Sequence, residues 1–189
     1  MLILYADTSG LDEGRARCPG RSRAPGSAFA YSLLRHALEV WKGERELPGL
    51  ALDSRGKPYF PERPDWHFSL SHTRGFVLAA VSDTPVGVDV QLRDGRGERL
   101  EGRLMSESER EQFDFYELWS LRESLYKLTG EGSLRTMRFE RRGGLIIPPY
   151  AGAECRVYED IPGCAAAASS LGEPLPERLI RVDGAKICT

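Results

Sequence analysis

The sequence has few of the features that direct a chain to a membrane or cross-link it. Only four of its 189 residues are cysteines, Cys18, Cys155, Cys164 and Cys188. None of them forms a CxxC pair, so a zinc site is not expected. We interpret the cysteines as reduced thiols, with a disulfide pair as the alternative. No apolar run approaches the roughly 18 residues that span a bilayer, and the start has no basic segment typical of a signal peptide. These absences predict a cytoplasmic protein without a membrane partner.

An excess of charge of one sign is also lacking. Lysine and arginine number 26 against 28 aspartate and glutamate, and the formal net charge is −2. No overall basic field attracts nucleic acid, so a nucleic-acid partner is not expected. Any anion site must therefore be built from local arginines and lysines. The basic stretch at 15–23 is interpreted as a solvated loop.

Two long helices are the clearest elements in the sequence. AFAYSLLRHALEVW has a wide apolar face, with Ser27 as its predicted N-cap and a stop at Gly43. FYELWSLRESLYKLT at 115–129 ends at Gly130, and Ser106 and Glu109 have capping-box spacing ahead of it. Strands are predicted at 2–6, 67–71, 76–82 and 85–91, and in LRTMRFE, LIIP, AECRVYE and CAAAASS.

The order of these elements predicts an α+β fold with two lobes. Each half contains a long helix followed by several strands, without a convincing sequence repeat. We divide the chain into lobes at 1–87 and 88–189 and expect a cleft between them.

The stretch PVGVDVQ at 85–91 alternates in character. Its valines fall on one face of a strand, whereas Asp89 and Gln91 fall on the other. In WSLRESLYK at 119–127, Trp119, Glu123 and Lys127 form one stripe of a helix because they are spaced four apart. If strand and helix face each other, two carboxylates and an amide oxygen converge in a set suited to Mg²⁺. The ordinary alternative is a solvated turn residue beside an i,i+4 salt bridge.

Four other positions could contact a phosphate. Ser71 and His72 stand at a strand end, and Lys57 precedes the stiff Pro58. Ser27 lies at a helix N-terminus, where backbone N–H groups attract anions. Each has an ordinary reading as a turn, a surface loop or a helix cap.

Taken in order, GKPYF, WHFSLSHTRG, VGVDVQ and LWSLRESLYKLTGEG resemble the surfactin-synthetase-type (Sfp-type) 4′-phosphopantetheinyl transferases, from about Ser27 to Phe139. The resemblance implies a pseudo-dimer of two similar α/β lobes with coenzyme A between them. It implies transfer of the phosphopantetheine arm of coenzyme A to a serine of an apo acyl or peptidyl carrier protein. The other product would be adenosine 3′,5′-bisphosphate, and the enzyme is expected to be a monomer.

The resemblance also implies roles for single residues. Asp89 and Glu123 would bind Mg²⁺, or Mn²⁺ in its place, and Gln91 is an uncertain third ligand because the family often has glutamate there. Glu123 would be the base that accepts the serine proton, and Lys127 would stabilise the leaving phosphate or relay the proton. Arg122 stands where the family often has lysine. The residues implied to contact coenzyme A are Ser27, Lys57, Pro58, Ser71, His72, Arg122 and Lys127.

Three other interpretations remain open at this stage. The chain could be a non-catalytic module that binds coenzyme A or a carrier protein, with Gln91 marking a decayed metal site. It could be a Mg²⁺-dependent phosphohydrolase that cleaves coenzyme A with water, or a small structural protein. If it is a transferase, the 98–116 region is a candidate docking surface for an acidic carrier, and a solvated helix face is the equally good alternative.

Overall fold

The computed structural model describes residues 1–16 and 26–188, so Cys18 and most of the predicted basic loop lie outside the described residues. The α-helices in that part are α1 (Ser27–Lys42), α2 (Glu101–Leu104), α3 (Glu107–Arg110) and α4 (Phe115–Thr129). The strands are β1 (Leu2–Asp7), β2 (Ala51–Leu52), β3 (Pro58–Tyr59), β4 (His67–Thr73), β5 (Phe76–Ser82), β6 (Val86–Leu92), β7 (Glu140–Arg142), β8 (Leu145–Ile147), β9 (Ala153–Tyr158), β10 (Cys164–Leu171) and β11 (Ile180–Val182).

The first lobe is a sheet in the order β11-β1-β5-β4 with α1 packed on it. Helix α1 buries an apolar face that includes Leu33 and Leu34, and it ends at Gly43 as predicted. The prediction that Ser27 is the N-cap is wrong. Gly26 takes that position with a φ of 87°, and Ser27 is the first helical residue. The Glu13 carboxylate accepts hydrogen bonds from the Gly26 and Ala28 N–H groups.

The second lobe is a sheet in the order β6-β10-β9, and α4 packs on it. The predicted strand in the alanine run is confirmed as β10, whose alanines are fully buried. The predicted strand in LRTMRFE is wrong. The N–H groups of Thr136 and Met137 donate to the carbonyl of Ser133, so this segment turns, and β7 begins only at Glu140.

A third core lies between the two sheets. The predicted valine face of β6 is buried there against the face of the first sheet that carries Ile3 and Leu78. The predicted lobe boundary at residue 87 falls inside β6. Strand β11 then returns to the first sheet and pairs in parallel with β1. The chain therefore crosses between the lobes more than once. Within the described residues, no helix combines the length and apolarity needed to cross a bilayer.

The edges of the two sheets meet through side-chain hydroxyls, which we call the hydroxyl seam. The N–H groups of β6 donate to hydroxyls of β4 in the pairs Val88–Ser69, Val90–Ser71 and Leu92–Thr73, at 3.0, 3.2 and 3.3 Å. The constant spacing of 19 residues shows that β4 and β6 run parallel. In the part of the chain that is described, no backbone hydrogen bond joins these two strands. The seam thus satisfies N–H groups that would otherwise be buried without an acceptor.

Candidate active site

Strand β6 and helix α4 touch at Gly87. A Cβ at this position would lie 2.0 Å from the carbonyl oxygen of Ser124 and 2.7 Å from the nitrogen of Leu128. Only glycine allows the helix backbone to come this close to the strand. Since β6 alternates, Asp89 and Gln91 share the Gly87 face and lie beside α4.

Asp89 is buried, with 3% of its surface exposed, and donors surround its carboxylate. Its Oδ1 accepts from the Ser71 hydroxyl and from the Lys127 ammonium, both at 2.7 Å. Its Oδ2 accepts from the Gln91 side-chain amide at 2.8 Å. Lys127 also donates to the carbonyl of Val88 at 3.0 Å. The carboxylate is therefore fixed in orientation before any ligand arrives.

Glu123 lies one helical turn before Lys127 and is half-buried. Burial raises the pKa of the Glu123 carboxyl, and the nearby charge of Asp89 raises it further, while Lys127 acts in the opposite direction. Among the described residues, no hydrogen bond is made to this carboxylate. The structure thus brings Asp89, Glu123 and Lys127 together, in the arrangement expected from the two sequence patterns.

The donor set can be compared with the needs of a divalent cation. The described residues contain no group of three or more His, Cys, Asp or Glu side chains arranged for a metal ion. Gln91 turns its amide nitrogen toward Asp89, which makes it a partner of that carboxylate in this arrangement. Mg²⁺ often takes only one or two carboxylates and completes its shell with water and substrate phosphate. Asp89 and the unpaired Glu123 fit that pattern.

A cleft of about 370 Å³ opens beside these residues. Four of its lining side chains are basic, and they are Arg55, Lys57, His72 and Lys127. The predicted residues Ser27 and Pro58 also line it. Burial lowers the pKa of His72, and the charge of Lys127 lowers it further. These basic side chains make the cleft suited to an anionic ligand.

Two of the cleft cations also bind the end of α4. The Lys57 ammonium donates to the carbonyl of Lys127 at 2.6 Å and to that of Val86 at 3.4 Å. The Arg55 guanidinium donates to the carbonyl of Thr129 at 3.0 Å. Cations at a helix C-terminus satisfy its last carbonyls and favour its dipole. The 53–57 turn of the first lobe is thereby attached to the helix that carries Glu123. No sequence pattern indicates this role of Arg55.

Two predicted coenzyme A contacts lie elsewhere. Ser71 and His72 are neighbours on β4 and point to opposite faces, so His72 lines the cleft whereas Ser71 contacts Asp89. Arg122 has only 1% of its surface exposed. Its guanidinium donates to both oxygens of Glu109, at 2.9 and 3.0 Å, and to the carbonyl of Leu104 at 2.6 Å. The implied contact of Arg122 with coenzyme A is therefore corrected, because its side chain points into the core.

A separate groove of about 460 Å³ lies on the other side of Glu123. Its lining includes Gln91, Arg74, Arg96 and three aromatic residues, Phe115, Tyr116 and Trp119. The rings of Phe115 and Trp119 are stacked, with centroids 5.9 Å apart. On α4, Trp119 lines the groove and Lys127 lines the cleft. Glu123, one turn from each, lies between the two openings.

Known proteins resemble the segment that carries these residues. Residues 85–152 match the model of the 4′-phosphopantetheinyl transferase superfamily. The chain is 32% identical over 145 residues to the 4′-phosphopantetheinyl transferase Sfp of Bacillus subtilis (strain 168), covering 67% of this chain and 65% of that protein. It is 32% identical over 111 residues to 4′-phosphopantetheinyl transferase psf-1 of Bacillus pumilus, covering 53% of this chain and 48% of that protein. The chain thus spans about half to two thirds of the length of these relatives.

Proposed function

The chain belongs to the 4′-phosphopantetheinyl transferase superfamily, and on that premise we propose that it transfers the phosphopantetheine arm of coenzyme A to a serine of an apo carrier protein. Adenosine 3′,5′-bisphosphate would be the second product. The observation that carries the proposal is the meeting of Asp89, Glu123 and Lys127 between a basic cleft and a separate groove.

The two openings suggest where each substrate binds. The cleft would hold the nucleotide half of coenzyme A, because Lys57 and His72 offer donors to its phosphates and Ser27 lies beside them. The groove would admit the carrier serine, because it opens to the 97–100 segment and to exposed arginines. The same surface would dock an acidic carrier through local charge, since the chain as a whole is weakly acidic.

The reaction breaks a P–O bond of the pyrophosphate as the serine oxygen attacks the β-phosphorus. Glu123 would accept the proton of that hydroxyl, because its carboxylate has no hydrogen bond in the described chain and it lies on α4 between the residues that line the two openings. Lys127 would stabilise the leaving phosphate. Mg²⁺ held by Asp89 and Glu123 would neutralise charge on the pyrophosphate oxygens. Most of the catalysis would then come from positioning and charge stabilisation, as is usual in phosphoryl transfer.

The test is a mass measurement. The chain is incubated with coenzyme A, Mg²⁺ and a panel of apo acyl and peptidyl carrier proteins, and each carrier is weighed. The proposal expects one carrier serine to gain the mass of one phosphopantetheine, and an equal amount of adenosine 3′,5′-bisphosphate to be released. A carrier whose acceptor serine is replaced by alanine is the matched control.

Two other results would contradict the proposal. Free phosphopantetheine formed without any carrier would identify a phosphohydrolase. Binding of coenzyme A without any mass change on the carriers would identify a non-catalytic binding module.

A further inference from the structure

The three hydroxyls of the hydroxyl seam differ in the hydrogen bonds that they donate. Ser69, Ser71 and Thr73 each accept a hydrogen bond from a β6 N–H group. Ser71 also donates, at 2.7 Å, to Oδ1 of Asp89. Among the described residues, Ser71 is the hydroxyl of the seam that hydrogen-bonds to a charged side chain. Its contact with β6 is therefore both structural and directed at the site.

The geometry directs the proton of the Ser71 hydroxyl to Oδ1 of Asp89. The hydroxyl oxygen is fixed by the Val90 N–H group at 3.2 Å, and the residue is buried, so water does not compete for the proton. The other donor to the same oxygen of Asp89 is Lys127, whose ammonium stands on a flexible four-carbon chain. The stiff donor on Oδ1 is thus the one that comes from β4.

We propose that Ser71 is a positioning residue, which holds the Asp89 carboxylate in the orientation needed to bind a divalent cation. The inference rests on the proposed function. In this role Ser71 orients the proposed metal ligand Asp89 and does not contact the nucleotide. The hydroxyl seam between the lobes then helps to hold the site in place. Partners that orient a ligand in this way are typically worth about 10- to 100-fold in metal affinity.

The experiment compares two deletions of one hydroxyl. Ser71→Ala and Ser69→Ala each leave one β6 N–H group without its acceptor, so both lower the melting temperature. Only Ser71→Ala also removes a bond to Asp89. Binding of Mn²⁺ in the presence of coenzyme A is measured by the loss of the free-ion electron paramagnetic resonance signal. We expect Ser71→Ala to raise the Kd by about tenfold or more, and Ser69→Ala to change it by less than about twofold.

A second pair separates the hydroxyl from the space that it fills. Ser71→Thr and Ser71→Val have nearly the same shape, so a loss of packing affects both equally. We expect threonine to keep the Mn²⁺ affinity near that of the wild type, and valine to reproduce the loss seen with alanine. Equal affinities in the two variants would overturn the inference even if Ser71→Ala does not fold.

The outcomes distinguish this inference from the function on which it depends. A wild-type chain that binds Mn²⁺ and modifies a carrier, with equal Kd values for Ser71→Ala and Ser69→Ala, would overturn the role of Ser71 alone. A wild-type chain that binds no Mn²⁺ in the presence of coenzyme A and modifies no carrier would overturn both.

Discussion

Each lobe buries an arginine on its long helix, and the two arginines differ in the burial of their ion-pair partners. Arg35 on α1 donates to the carbonyl of Arg45 and pairs at 3.5 Å with Glu39 of the same helix, whose side chain is 37% exposed. Arg122 on α4 pairs with Glu109, which is almost fully buried. In the described chain, the Nε atom of each arginine lacks a partner.

The two arginines differ in whether their partners lie in nearby or in distant segments of the chain. The polar contacts of Arg35 are to its own helix and to the segment that follows it. Arg122 fastens the α2–α3 segment to α4, and Glu109 extends the network to the N–H group of Phe139. In the first lobe, helix α1 lines part of the cleft and is held by apolar packing and local ion pairs. The second lobe carries the Glu123 carboxylate on a helix whose position depends on a buried charge.

The largest expected effect is on the rate of transfer. Glu123→Gln keeps the shape of the side chain and removes the proposed proton acceptor, so the single-turnover rate should fall by about 10²- to 10⁴-fold. Affinity for coenzyme A, measured by calorimetry, should change little because the cleft residues are intact. The same substitution on the other helix, Glu39→Gln, should leave the rate within about twofold. An unchanged rate in Glu123→Gln would remove this residue from the mechanism.

The second prediction compares the two ion pairs by stability. Glu109→Gln keeps a residue that can form the capping box but leaves Arg122 buried without a counter-charge. The free energy of unfolding should fall by about 3–5 kcal/mol. Glu39→Gln, at the half-exposed pair, should cost about 1 kcal/mol or less. Urea denaturation at neutral pH measures both, and equal losses would erase the contrast between the lobes.

The pH dependence of the same pair gives a further check. Burial alone would raise the pKa of Glu109, but the Ser106 N–H group and the Arg122 charge outweigh it and hold the pKa below its ordinary value. A lowered pKa adds stability above the unfolded value of about 4.3, and this stability is lost as the pH falls through the folded pKa. The difference between wild type and Glu109→Gln should therefore be largest near neutral pH and should shrink in acid. A difference that grows in acid would contradict the ion pair.

The third prediction concerns the contact between β6 and α4. Gly87→Ala forces backbone atoms apart, because its Cβ would lie 2.0 Å from the Ser124 carbonyl oxygen. We expect a loss of about 3 kcal/mol, or roughly 6–12 °C in melting temperature for a chain of this size. Gly102→Ala is the control, since no atom of the described residues beyond its own helix and chain neighbours lies within 4 Å of its Cβ position, and alanine favours a helix. A wild-type melting temperature for Gly87→Ala would show that the helix can move away freely.

The smallest expected effect concerns Gln91, which stands where the family often has glutamate. Gln91→Glu replaces the amide donor to Asp89 with a third carboxylate, so without metal the melting temperature should fall by about 2–4 °C, corresponding to roughly 1 kcal/mol. In the presence of coenzyme A, Mn²⁺ should bind about tenfold more tightly, because Ca²⁺ and Mg²⁺ sites are tuned by ligand charge. Gln112→Glu, outside the site, should leave the Kd unchanged. Weaker Mn²⁺ binding in Gln91→Glu would mean that the amide serves the site better than a carboxylate.

Local periodicity predicted much of the site. The alternation of β6 placed Asp89 and Gln91 on one face, and the four-residue spacing on α4 placed Glu123 and Lys127 on one stripe. The capping box of Ser106 is confirmed. The same rule would have separated Ser71 from His72, since neighbours on a strand point to opposite faces.

Other features depend on contacts between distant segments. Arg122 lies on the apolar stripe of α4 with Leu118 and Leu125, which is a local signal of burial, but its partner Glu109 belongs to another helix. Arg55 and Lys57 reach the end of α4 only because the 53–57 turn of one lobe meets a helix of the other. No local pattern indicates such a meeting, so these contacts required the structure.

The parallel pairing of β11 with β1 has a consequence for the order of assembly during translation. Strand β1 is synthesised well before its partner, because most of the chain lies between them in the sequence. Until β11 has left the ribosome, one edge of β1 stays uncovered, and the closure of so long a loop is entropically slow. Pulse-labelling hydrogen exchange should therefore find the N–H groups of β1 that face β11 protected later than those that face β5.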